Sequence, residues 1–288
     1  MRIHLDTNSL IDVAQESKPC HVDELGEELR TGGHKLVLSV FNVLEISAPL
    51  VYPNAKTNVM TLLNHLERLP IEFISAPKTI LLELREALEA FRTGRDYGSI
   101  QPYSERFDAT VTLWGQPSTA MFVNFGLSDT VFTLWAEVPD LFSQAHTYKD
   151  SLQRLFEADR RLPKKPRLSD NFVKALGLDM LCLKIAIDPE ELDPFANWVY
   201  ADSRRCPAKR LGYEAYHQIL QNTQDVPGKG DIGDFAQLTC TPYADMVTFE
   251  RRMGNYAKQA CRAAGLPYDS RVIKNVSEIL AKLRSTRS

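Results

Sequence analysis

Five acidic side chains of this chain are placed where they can do chemistry together: Asp6, Glu45, Asp231, Asp234 and Glu250. Asp6 follows RIHL, a short strand with Ile3 and Leu5 on one face, and Glu45 lies just beyond KLVLSV. Asp231 and Asp234 come after a loop marked by Gly228 and Gly230, and Glu250 follows ADMVTF. Where parallel strands end at one sheet edge, such carboxylates gather, because that edge is where ligands bind in open α/β sheets. Crowded carboxylates repel one another unless a cation balances them. Mg²⁺ takes oxygen ligands, usually one or two carboxylates with waters and substrate phosphate. A metal held this way lowers the pKa of bound water and clamps a phosphodiester oxygen, so no His or Lys base is required. Asp245, at the start of ADMVTF, is read as structural and at the strand's other end.

Each acid also has a plain structural reading. Asp6 is a good helix cap, and Asp231 and Asp234 suit the positive end of a helix dipole. Glu45 can be a surface residue on its helix, and Glu250 can pair with Arg251 or Arg252. Other chemistries find less support. The sequence has no Walker A, G-x-G-x-x-G or G-x-S-x-G pattern. Its six histidines show no ligand or triad spacing, and its five cysteines form no C-x-x-C pair. A zinc knuckle and a disulfide framework are therefore not indicated, which suits a reducing compartment.

The net charge is −3, so nucleic acid would have to be met by local patches. Two basic runs, 160–167 and 202–210, are either phosphate contacts or solvated loops. Trp114, Trp135, Trp198 and the tyrosines near 97–103 either stack on bases or belong to the core. No signal sequence and no apolar run of about 18 residues is present. A cytoplasmic protein without membrane contact is expected.

The elements that must position the acids follow from periodicity. Strands are expected at Arg2–Leu5, Lys35–Val40 and Ile71–Ile74, and helices at Asn8–Gln15, Val22–Arg30, the FNVLEISAP segment, Asn54–Leu69 and Lys78–Phe91. This is a βαβαβ-like series. Thr93–Pro117 reads as a loop. Helices are expected over Ala120–Trp135, Pro139–Arg161, Asn171–Ile187, Pro189–Tyr200 and Ala208–Gln221, with no strand between them. A short helix after Asp231, a strand Ala244–Phe249, a helix Arg251–Ala264, an edge strand Arg271–Ile273 and a closing helix Val276–Arg284 complete the chain. Residues 1–92 and 227–288 are thus expected to share one sheet as a discontinuous domain, with 93–226 as a mainly helical insertion.

LDTN at 5–8, Glu45 after an apolar strand, and GDIGDFAQLTCTPYADMVTFERR at 230–252 together resemble the PIN-domain family. The resemblance covers roughly the first ninety and last sixty residues. It implies a three-layer α/β/α sandwich around a mostly parallel sheet, and a Mg²⁺- or Mn²⁺-dependent nuclease that cuts RNA by a metal-activated water. Carried over by position, Asp6 is the first acidic ligand and Glu45 the second. Asp231 is the third, with Asp234 one turn on as its substitute. Glu250 stands where the family has its fourth acid, usually Asp. Asn8 matches the family's polar residue beside the first Asp, and Thr248 its hydroxyl near the metal edge.

Many members of the family are toxins of toxin–antitoxin pairs, so an antitoxin or other protein partner belongs to the same expectation, and a homodimer is compatible with it. The alternatives are a catalytically impaired PIN-like module that binds nucleic acid or protein, and a structure-specific DNA nuclease.

Overall fold

The computed structural model describes residues 1–15, 19–105, 127–128, 131–132, 154, 157–160, 168–222, 224–225 and 231–286. A six-stranded sheet lies at the centre of the described chain, in the order β4-β3-β2-β1-β5-β6. Its strands are β1 (Arg2–His4), β2 (Lys35–Ser39), β3 (Ile71–Ile74), β4 (Tyr103–Ser104), β5 (Met246–Thr248) and β6 (Val272–Ile273). All neighbours are parallel except β3 and β4. The strand nearest the N-terminus is therefore central. Ile3 pairs with Leu36 on one side and with Met246 on the other.

Side chains alternate across the sheet, as strand geometry demands. Ile3, Leu36, Leu38, Met246 and Ile273 enter one apolar cluster. Their neighbours Val37, Val247 and Val272 enter others. The first face is covered by α1 (Thr7–Ala14), α2 (Pro19–Thr31), α3 (Val40–Ser47), α4 (Lys56–Glu67) and the last helix, Val276–Ser285. On the other side lie α5 (Ala76–Thr93), α6 (Leu168–Cys182), α7 (Pro189–Ala201), α8 (Pro207–Gln221), α9 (Asp231–Gln237) and α10 (Arg251–Ala264), of which α6 and α7 pack with α5 in a cluster that holds no strand residue, and the closing helix is α11. The architecture is α/β with a mixed sheet, consistent with three layers. Among the described residues no helix is long and apolar enough to cross a membrane.

Helix boundaries follow local chemistry. Ser39 and Asn42 form a reciprocal capping box at the start of α3. Ser75 caps α5, whose other end is closed by Gly94 at φ +67°. That left-handed turn suits a residue without a Cβ. Pro49 and Pro53 sit in two 3₁₀ turns that carry the chain from α3 into α4.

Two local expectations are corrected. The 93–117 segment holds β4 at Tyr103–Ser104, a strand too short to leave a periodic signature. It pairs antiparallel with β3 and makes the sheet mixed. The strand expected over Ala244–Phe249 is confined to Met246–Thr248, because Ala244 closes a turn on Cys240 O and Phe249 already leads into α10. The helices expected at 120–135 and 139–161 lie for the most part outside the described residues.

Candidate active site

The chain runs from β1 through β2 to β3 in one direction, and β5 and β6 lie on the opposite side of β1. The strand order thus reverses between β1 and β5. In open α/β sheets the crevice at the carboxyl ends beside such a reversal is the usual ligand site. Asp6 and Thr248 stand at those two ends.

Asp6 is the N-cap of α1, and its Oδ1 accepts from Ser9 N at 3.0 Å. Its backbone N–H donates to Thr248 Oγ1 at 2.9 Å, and that hydroxyl lies 3.2 Å from Asp6 Oδ1 and 3.3 Å from Ser9 Oγ. Asp6 is only 4 % exposed and Thr248 is wholly buried. The capping reading of Asp6 is therefore correct. The cap fixes one oxygen of the carboxylate at the carboxyl end of β1.

Glu45 lies on α3, half-buried. The Thr7 hydroxyl donates to Glu45 Oε2, and Gln237 Nε2 approaches the same oxygen at 3.4 Å. Asn42 fixes Thr7 in turn: its Nδ2 donates to Thr7 Oγ1 at 3.1 Å and to Leu5 O at 3.2 Å. Asn42 Oδ1 accepts from Ser39 N and Ser39 Oγ, both at 2.9 Å. One buried amide thereby ties the ends of β1 and β2 to α3.

The short helix α9 reaches the site at Gly233. A Cβ at that position would lie 2.2 Å from Glu45 Oε1, so the absence of a side chain admits the carboxylate. Asp231 and Asp234 flank Gly233 on α9, and Asp234 is half-buried. The side chain of Asp231 lies outside what is described. Glu250 is exposed and precedes α10. It accepts from Asn8 Nδ2 at 2.6 Å, which links α1 to the start of α10. Asp245 sits at the opposite sheet edge, where its Oδ2 accepts from Arg2 N at 2.7 Å.

The chain matches no family model, no curated protein and no solved structure.

Below Asp6, His4 is fully buried and donates from Nδ1 to Val37 O at 3.0 Å. Burial pushes its pKa down, so the imidazole is neutral. Thr7, Ser9, Asn42, Gly233 and Gln237 all serve the site without standing out in the sequence. The Ser39-x-x-Asn42 spacing is a local capping signal that could have pointed to one of them. For Gln237 no local signal exists.

Among the described residues no three Asp, Glu, His or Cys side chains form a group that could hold a metal ion. The donors at the edge are oxygens from Asp6 and Glu45, with hydroxyls from Thr7, Ser9 and Thr248.

The second basic run is tied into the protein. Arg204 pairs with Asp202, Lys209 with Asp179, and Arg210 with Glu214. Arg205 lies over the Trp198 ring, 3.8 Å from its centroid. Trp198 itself packs on Phe91 and Phe195 as core. Of the first run, Arg160 donates to the carbonyls of Ile219 and Asn222 at the end of α8, while 161–167 lie outside the described residues. Trp114 and Trp135 also lie outside them.

Proposed function

We propose that this chain is a PIN-like, Mg²⁺- or Mn²⁺-dependent nuclease that hydrolyses RNA internally. One observation carries the reading. Residues from both ends of the chain meet at the reversal point of the sheet, with Asp6 bonded to Thr248 and Glu45 seated against Gly233. In this reading Asp6 and Glu45 would hold the ion together with Asp231, whose side chain lies outside what is described, since Asp234 forms no metal-capable group with them. Such an ion, when bound, supplies Lewis acidity toward water and a phosphodiester oxygen.

The chain's own groups do the rest. Thr248 and Ser9 orient the Asp6 carboxylate, and Thr7 and Gln237 orient Glu45. The N-termini of α1, α3 and α10 all lie at this edge, where their helix dipoles favour negative charge. The decisive experiment incubates matched RNA and DNA oligonucleotides with the wild-type chain and with Asp6→Asn, in Mn²⁺ and in EDTA. Cleavage of RNA that needs both the metal and Asp6 supports the proposal. Cleavage that persists in Asp6→Asn sinks it.

A second reading keeps the fold but not the chemistry: a binding module with impaired metal affinity. It is favoured by the missing group of three metal-capable side chains among the described residues, and by Glu250 already engaged with Asn8. A Mn²⁺ titration separates the two readings, since a module of this kind has no saturable site.

A further inference from the structure

The end of α8 and the N-terminal half of α10 flank an open pocket of about 610 Å³ that the site above does not use. Gln218 and Gln221 face it from α8, and Asn255 and Gln259 from α10. Arg252 also lines it and pairs with Asp225 at 3.1 Å. Asp225 is held further by the hydroxyl of Tyr256. The pocket's Arg252 end lies near the carboxyl edge of the sheet, since Arg252 follows Glu250 by two residues and Glu250 is bonded to Asn8.

This lining has a distinct chemistry. Each amide presents a donor and an acceptor in one plane, the pattern that pairs bidentately with a base edge. The guanidinium is balanced by Asp225, so the cavity offers no net positive charge to a phosphate. Its size is that of a small-ligand pocket. An unpaired base has free edges to offer such amides, and sequence-specific reading of RNA falls mainly on single strands.

We propose that this cavity is a nucleobase subsite, which reads one unpaired base of a single-stranded substrate whose backbone passes the acidic edge. The proposal rests on the nuclease reading for the identity of the ligand. Its test is independent of cleavage. Short fluorescent RNA homopolymers are titrated against the full chain in EDTA and followed by anisotropy. The best homopolymer is expected to bind about tenfold more tightly than the worst. Asn255→Ala/Gln259→Ala, at two exposed positions, is expected to bring that ratio to within about twofold, and Gln218→Ala on the facing helix to lower it in the same direction.

Equal binding of all homopolymers, no binding of any, or selectivity untouched by these variants overturns the subsite. Selective binding that the variants abolish, in a chain that cleaves nothing with Mg²⁺ present, removes the nuclease reading and leaves the subsite standing.

Discussion

Asp6 and Thr248 lie 242 residues apart in sequence and share two contacts: Asp6 N–H donates to Thr248 Oγ1 at 2.9 Å, and the hydroxyl sits 3.2 Å from Asp6 Oδ1. A single hydroxyl thus joins the ends of β1 and β5 and orients the carboxylate. Thr248→Val keeps the shape but leaves a buried N–H without its acceptor, at a cost of about 1–3 kcal/mol. Urea unfolding should show that loss, and Thr248→Ser should recover most of it. A Thr248→Val chain as stable as wild type would mean that the contact contributes nothing.

Asp6 has two tasks, and two substitutions separate them. Asparagine is as good an N-cap as aspartate, while alanine loses about 1 kcal/mol of capping. Asp6→Asn should therefore unfold at the wild-type temperature but lose cleavage by on the order of a hundredfold or more. Asp6→Ala should lose both. Saturating Mn²⁺ should raise the melting temperature of the wild type and not of Asp6→Asn, because only a folded chain with its site binds the ion.

Gly233 is a test of Glu45 that leaves Glu45 itself in place. A Cβ at 233 would stand 2.2 Å from Glu45 Oε1, so Gly233→Ala must displace the carboxylate. Alanine is the better helix former by about 1 kcal/mol, which offsets part of the strain. The expected outcome is near-normal stability with activity reduced on the order of tenfold. Wild-type activity in Gly233→Ala would remove Glu45 from the site.

Glu83 predicts how stability depends on pH. It is fully buried on α5 and accepts from Ala208 N at 2.8 Å, from Lys209 N at 3.0 Å and from the Tyr243 hydroxyl. Burial pushes its pKa up to about 7 against 4.5, although these bonds pull the other way. A pKa raised by folding stabilises most fully below the unfolded value, and the contribution is lost as pH rises through the folded one. Stability should fall by about 3 kcal/mol between about pH 4.5 and 7 from this group. Glu83→Gln should flatten that slope in denaturation curves measured at several pH values. An unchanged slope would place the pH dependence elsewhere.

Much of the frame was legible from local pattern. β3 falls at Ile71–Ile74 and α10 at Arg251–Ala264, with the bounds read from sequence. β4 was not legible, since two residues carry no period. Nor was the internal use of Arg205, Lys209 and Arg210, because a run of positive charge looks the same whether it faces solvent or the protein's own groups.

The sequence by itself determined that carboxylates stand after strands, for the alternation and capping signals that show this act within a few residues. Only the tertiary structure decided that β5 lies beside β1, and so that Thr248 meets Asp6 and Gly233 meets Glu45. Strand order depends on pairing between segments more than 200 residues apart, and no local spacing encodes it. The same holds for Gln237 and Glu83, whose partners come from distant parts of the chain.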